Sequence, residues 1–264
     1  MSAKDTGRHY HRECTGLALE TVKKHSEKND ITLFAACFCP FVQRVWVALE
    51  ELGVPYHVNE VDPYQKPADL LEVSPKGLVP GLRLEKFSPA RSLHESTVIL
   101  EYIEDVAGNA RSLARLQADH ISRTLVPAFY RYLQAQDASE QIERGREFID
   151  ALGRLSHLLE RAEKESDDPR ACGLWKDNGV LGWVDIMAGP WLYRASIVLK
   201  HYRGFSLPPS DKFNRWLDRL FEYPAFKATC STDQLYLDSY ERYAFNRPNT
   251  SMVADAINRG QALP

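Results

Sequence analysis

The chain has 264 residues, 44% hydrophobic and 26% charged, with a formal net charge of −3. That is enough for one large domain or two small ones, and it leaves no basic footprint for nucleic acid or an anionic membrane. No stretch approaches the roughly 20 apolar residues of a membrane helix, and Met1 to Glu20 lacks the apolar core of a signal peptide, so a reducing, cytoplasmic setting is the expectation.

Residues 1–29 are polar and read as a loose N-terminal extension. Ile31 to Ala35 then reads as a short buried strand. Pro40 suits a first helical position, where its missing N–H costs nothing. Phe41, Val45, Ala48, Leu49 and Leu52 recur at helical spacing, and Gly53 is a natural stop. Tyr56 to Val61 reads as a second strand, and Pro67 to Leu71 as a short helix. Ser74 to Gly77 forms a turn before a third strand over Leu78 to Leu84. Leu93 and His94 fall in a fourth strand, and Ile99, Tyr102, Ile103 and Val106 mark another helix. The strand–helix–strand opening implies a parallel pair with a right-handed crossover, and the later close strands imply a hairpin edge.

Strand signals stop near Gly108. Helical stretches follow at about 111–136, 140–165, 183–202, 211–221 and 233–245. The expected organisation is a 30–107 α/β domain, a 111–245 all-α domain and a polar tail over 246–264.

The five cysteines are Cys14, Cys37, Cys39, Cys172 and Cys230. An odd number at scattered spacing argues against a disulfide framework. No CxxC pair or His/Cys cluster suggests zinc, so no metal is expected. Cys39 precedes Pro40, at a helix start whose free N–H groups and partial positive charge stabilise a thiolate. It reads either as a reactive thiol or as a small buried hydrophobe. Position 42 is Val42, so a reactive Cys39 is monothiol and needs an outside thiol to resolve a mixed disulfide. Cys37 is the competing cysteine, otherwise explained by packing.

Three further features bear on a ligand. Pro80 within an apolar run belongs at an edge, bulge or turn, and a cis Val79–Pro80 bond would turn Val79's backbone toward an extended peptide. From the residues alone trans is the expectation. Ser96 starts a helix, either as a cap or as a carboxylate holder with the helix N–H groups, and Glu95 suits an ammonium group. Lys66 is either a surface lysine or a partner for a second carboxylate.

Cys39-Pro40-Phe41-Val42-Gln43-Arg44, Gly77-Leu78-Val79-Pro80 and Glu95-Ser96, in that order, resemble the glutathione transferases, closest to the omega class; the run from Phe41 to Glu51 is similar to fungal members. The resemblance implies a thioredoxin-like N-terminal domain, an all-helical C-terminal domain, a homodimer, and a cis Val79–Pro80 bond. It implies glutathione as co-substrate, with Cys39 facing its sulfur, Phe41 and Lys66 lining the site, Val79 and Pro80 at the cysteinyl backbone, and Glu95 and Ser96 on the γ-glutamyl group. Gly182-Trp183-Val184-Asp185 matches the start of the family's buried helix, with Asp185 structural. A small hydrophobic or glutathionylated second substrate is expected against the helical domain, with Phe38, Trp191 and Tyr236 as candidate walls. Phe38, Trp191 and Tyr236 are each better explained as core. The implied activity is glutathione-dependent thiol transfer and reduction, dehydroascorbate and glutathionyl-ketone reduction included. The alternatives are a carrier of hydrophobic or polyphenolic compounds, or conjugation of glutathione to xenobiotics in detoxification.

Overall fold

In a computed structural model, residues 10–107, 114–165, 172–207 and 210–264 are described. The first part of the chain runs α1 (Gly16–Lys24), β1 (Ile31–Ala35), α2 (Pro40–Leu52), β2 (His57–Glu60), α3 (Ala68–Val73), β3 (Gly81–Leu84), β4 (Arg91–His94) and α4 (Ser96–Ala107). The four strands form one sheet in the order β2-β1-β3-β4. Strand β1 pairs parallel with β2 and antiparallel with β3, and β3 pairs antiparallel with β4. The fold is thioredoxin-like.

Strand β1 is central and its Leu33, Phe34 and Ala35 are buried. Helix α2 starts on Pro40 and lays Val42, Val45, Trp46 and Leu49 into the core. It ends at Gly53, whose φ of 60° is the left-handed stop glycine supplies without a Cβ penalty. On the other face Leu70 and Val73 of α3 pack with Phe34 and Val61. Gly81 permits this approach, because a Cβ there would lie 2.8 Å from Val73 Cγ1.

The helices that follow are α5 (Ala114–His120), α6 (Val126–Gln134), α7 (Ala138–Glu165), α8 (Trp183–Arg194), α9 (Lys200–Arg203), α10 (Asp211–Glu222), α11 (Pro224–Lys227), α12 (Asp233–Ala244) and α13 (Met252–Asn258). A π-helical turn over Ile121–Leu125 joins α5 to α6, just ahead of Pro127, which has no N–H for the α-helical ladder. Among the described residues no helix is long and apolar enough to cross a membrane.

The chain divides into two compact units. The division expected near Gly108 lies outside the described residues. One unit holds the elements from His11 through α4, and Asp218–Thr232 joins it. The sequence pattern places that segment in the helical domain. It belongs to the first unit because α11 packs on α2, Gln43 Nε2 donates to Thr229 Oγ1 at 3.1 Å, and Tyr223 Oη donates to Glu51 at 3.0 Å.

The two ends also differ from the sequence reading. Within residues 1–29, read as loose, Gly16–Lys24 is helical, with Cys14, Ala18 and Thr21 buried. Ala18 N–H donates to Cys230 O at 3.1 Å and Thr21 Oγ1 to Ala228 O at 2.7 Å. Within 246–264, α13 is capped by Ser251, whose side chain accepts from Ala254 N–H. It is held by Gln134 Nε2, which donates to Ala254 O at 3.2 Å and Asn258 Oδ1 at 3.0 Å. In both places small or polar residues do the packing, so hydropathy carries little signal.

The helical unit is centred on α8. Asp185 is fully buried and accepts hydrogen bonds from Leu174 N–H at 2.9 Å, Gly182 N–H at 2.7 Å and Trp216 Nε1–H at 2.7 Å. The bond to Gly182 is half of a capping box, without a side chain on the cap to return it. Gly173, at φ 58°, lies so close that a Cβ would fall 2.0 Å from Asp185 Oδ2. Replacing Asp185 with Ala strands these buried donors. The expected cost is on the order of 3 kcal/mol or more, read as a loss of several degrees in the thermal midpoint; an unchanged midpoint would contradict the structural role.

Candidate functional site

The sheet register gathers the site. Phe34 pairs with Gly81 and Gly81 with His94. The exit of β1, the entry of β3 and the exit of β4 therefore lie at one end of the sheet. Cys39 is five residues beyond Phe34, Val79 two before Gly81, and Glu95 directly after His94.

Cys39 is the N-cap of α2, with extended backbone (φ −76°, ψ 120°), and is partly exposed. Its Sγ faces the Val79 carbonyl at 3.8 Å. Helix N–H groups and the helix dipole both favour a thiolate at this position. The Val79–Pro80 bond is cis, as the family resemblance implies. Val79 is partly buried against Phe34, Val61, Leu70 and Val73. Phe41, the second residue of α2, lies under the Arg44 guanidinium, 5.6 Å from ring centroid to Cζ.

Ser96 opens α4 and is buried; Glu95 before it is half-exposed. Glu95 sits at φ 72°, a left-handed conformation costly for a side chain of this size. His94 Nδ1 stands 3.9 Å from its carboxylate. Lys66, on the turn before α3, also has positive φ. Its stem crosses Gly77, where a Cβ would lie 2.7 Å from Lys66 Cδ, and its Nζ donates to Lys76 O at 2.8 Å. Glycine at position 77 is thus needed twice, for φ 65° and for the lysine stem.

Cys37 is two residues upstream of Cys39 but sits differently. It is buried, and its thiol donates to His11 O at 3.2 Å. Burial, then the nearby Glu60 charge, push its pKa up to about 12, so at neutral pH it is a thiol. Burial also pushes the Cys14 and Cys172 thiols up, with the Glu60 charge adding to it at Cys14 and the Glu163 charge at Cys172. All five cysteines are free.

The candidate second-substrate residues separate. Phe38 is buried beside the site and stacks on Tyr64, with centroids 5.9 Å apart. Trp191 and Tyr236 are fully buried in the helical unit, where Tyr236 lies 4.5 Å below the Arg194 guanidinium. They are core, not exposed walls. Sequence reading missed Asp62. Its Oδ1 accepts from Tyr64 N–H at 3.0 Å, and its carbonyl accepts from Gln65 and Lys66 N–H, each at 3.2 Å. Asp62-Pro63-Tyr64 carries the signal, an Asx-turn pattern.

The family model for the glutathione S-transferase N-terminal domain matches residues 33–111. Glutathione transferase Omega 3C from Trametes versicolor is similar at 31% identity and a TM-score of 0.73, covering 89% of this chain and 98% of that one. Dehydroascorbate reductase from Chlamydomonas reinhardtii shares the fold, with a TM-score of 0.66 and 24% identity over 82% of this chain and 100% of that one. Glutathione S-transferase DHAR2 of Arabidopsis thaliana is 26% identical over 204 residues, 77% of this chain and 89% of its own length.

The contrast between the thiols has a direct readout. Brief alkylation of the native protein at neutral pH is expected to modify Cys39 and to spare Cys37, Cys14 and Cys172. Peptide mass spectrometry checks this; equal labelling of Cys37 and Cys39 would contradict it.

Proposed function

The chain belongs to the glutathione transferases, and from that premise we propose that it is an omega-like, glutathione-dependent thiol transferase and reductase acting through Cys39. The observation that carries the proposal is the position of the Cys39 thiol. It is partly exposed at a helix N-terminus and faces the backbone of Val79 at the end of the sheet where Glu95 and Ser96 also lie.

The Cys39 thiolate attacks the glutathione sulfur of a glutathionylated substrate. A Cys39–glutathione disulfide forms, and the substrate thiolate leaves and takes a proton. The thiolate of a second glutathione attacks the glutathione sulfur of that disulfide, releasing oxidised glutathione and restoring Cys39. The outside thiol is required because position 42 is Val42. Val79 pairs with the cysteinyl backbone beside Pro80, Glu95 takes the γ-glutamyl ammonium, and Ser96 with the α4 N–H groups takes its carboxylate. Phe41 lines the site. Lys66 reaches the glycyl carboxylate by leaving the Lys76 carbonyl.

Reduction of dehydroascorbate and of glutathionyl ketones fits the same thiol chemistry, and a structure sharing this fold is named for the first of these. Conjugation is expected to be weak, because Cys39 captures the glutathione sulfur that conjugation must leave free. The reading also makes the protein a cytoplasmic homodimer. Five free cysteines suit a reducing compartment.

Intact mass after treatment with oxidised glutathione tests the nucleophile. The adduct is expected on wild type and Cys37→Ser and absent from Cys39→Ser, with reductase turnover lost in parallel. An adduct that survives in Cys39→Ser and vanishes in Cys37→Ser would transfer the role to Cys37. Glu95 supplies a second test. Glu95→Gly removes both the positive-φ cost and the ammonium partner, so stability should rise by about 1 kcal/mol while glutathione affinity falls. Calorimetry of folding and of binding reads both; unchanged affinity would remove Glu95 from the site.

A further inference from the structure

The segment from His11 to Thr15 touches three parts of the thioredoxin-like unit. The His11 carbonyl accepts from Cys37 Sγ–H at 3.2 Å, Arg12 Nε lies 3.4 Å from Asp62 Oδ2, and Cys14 N–H donates to Glu60 Oε1 at 2.7 Å. Its far end is tied down: Thr15 N–H donates to Ser231 Oγ at 3.3 Å before α1 begins.

These contacts lie at and just beyond the last row of the regular sheet. Pairing of β1 with β2 ends at Ala35 opposite Glu60. Past that row, one chain continues through Cys37 to Cys39 and the other through Asp62 to Lys66. Asp62 organises the second loop through Tyr64, Gln65 and Lys66, and the stacking of Phe38 on Tyr64 joins the two. We infer that residues 11–14 form a strap that holds the Cys39 loop against the Lys66 turn, with Glu60 and Asp62 as positioning residues for glutathione. The inference rests on the glutathione site proposed above.

The strap acts on binding rather than chemistry. A site whose two loops are already fixed does not have to order them on each binding event. The contacts to Cys37 and from Cys14 N–H use backbone atoms of the strap, so their side-chain partners on the sheet can be changed without altering the strap itself. Cys37 serves here as a donor. Its burial, which keeps the proton on sulfur, maintains that bond and keeps the thiol out of the redox cycle.

The test uses the full-length protein, with glutathione varied in steady-state reductase assays and glutathione affinity measured by calorimetry. Glu60→Ala and Asp62→Ala are expected to raise the KM and Kd for glutathione roughly three- to tenfold, with kcat within about twofold of wild type. Glu60→Gln keeps an acceptor oxygen and should stay near wild type, whereas Asp62→Asn keeps the acceptor for Tyr64 N–H but loses the charge facing Arg12 and should match Arg12→Ala. Arg12→Ala, at an exposed ion pair, should raise KM by about twofold and serves if the Ala variants at 60 and 62 fail to fold. A purely structural role would lower the active fraction, and so apparent kcat, at constant KM. That result, or unchanged glutathione affinity in all three Ala variants, would overturn the strap. Loss of Cys39-dependent turnover in wild type would instead overturn the function proposed above, and the Kd comparison would still decide the strap.

Discussion

One row of the sheet, Phe34 beside Gly81 beside His94, determines where the site's chemistry can stand. Its three strands lead directly to Cys39, away from Val79-Pro80, and into Glu95-Ser96. A slip of one residue between β1 and β3 would move one strand's side chains to the opposite face, so that Phe34 and Gly81 would no longer share the face that α3 covers. The apolar packing that stabilises the sheet therefore also sets the distance from the Cys39 thiol to the Val79 carbonyl. Gly81 is the place where both demands meet, since it lets Val73 press on the sheet and leaves β3 paired on both edges.

Two cysteines two residues apart stand in different surroundings for a structural reason. Cys37 is still on the way out of β1, under the His11 carbonyl and near Glu60, where burial and negative charge both favour the thiol. Cys39 is the N-cap of α2, where the helix dipole favours an anion. Spacing alone does not separate the two. The change from strand exit to helix cap does.

Much of the site was legible because it rests on local rules. Pro40 after Cys39, Gly53 at the end of α2 and Ser96 at the start of α4 each act within one turn of their own position, and each stands where its residue type suggests. What was not legible depends on distant partners. Helix α1 is buried through Ala18 and Thr21, whose partners Cys230 and Ala228 lie more than 200 positions away in sequence. Residues 218–232 join the first unit through Gln43 and Glu51. Trp191 and Tyr236 show the other limit: an aromatic at helical spacing has the same pattern whether it faces core or ligand, and burial assigns these two to the core.

The two units place positive φ on different residue types: outside glycine, among the described residues of the helical unit it falls on Asn178, Asn246 and Asn249, a residue type that tolerates it. In the helical unit the tightest point, Gly173 against Asp185, is resolved by removing a side chain, and every oxygen there works to hold backbone and indole donors. In the thioredoxin-like unit Lys66 and Glu95 keep full side chains at positive φ, where glycine would be easier. Strain retained at charged residues on two separate turns, both at the end of the sheet that carries Cys39, is difficult to explain by stability. It is explained if those side chains must be aimed at the ammonium and carboxylate ends of one small peptide. The backbone cost at Glu95 is then offset on binding, because its charge is already placed and the ligand need not order it, while at Lys66 the backbone is set and only the side chain has to release the Lys76 carbonyl.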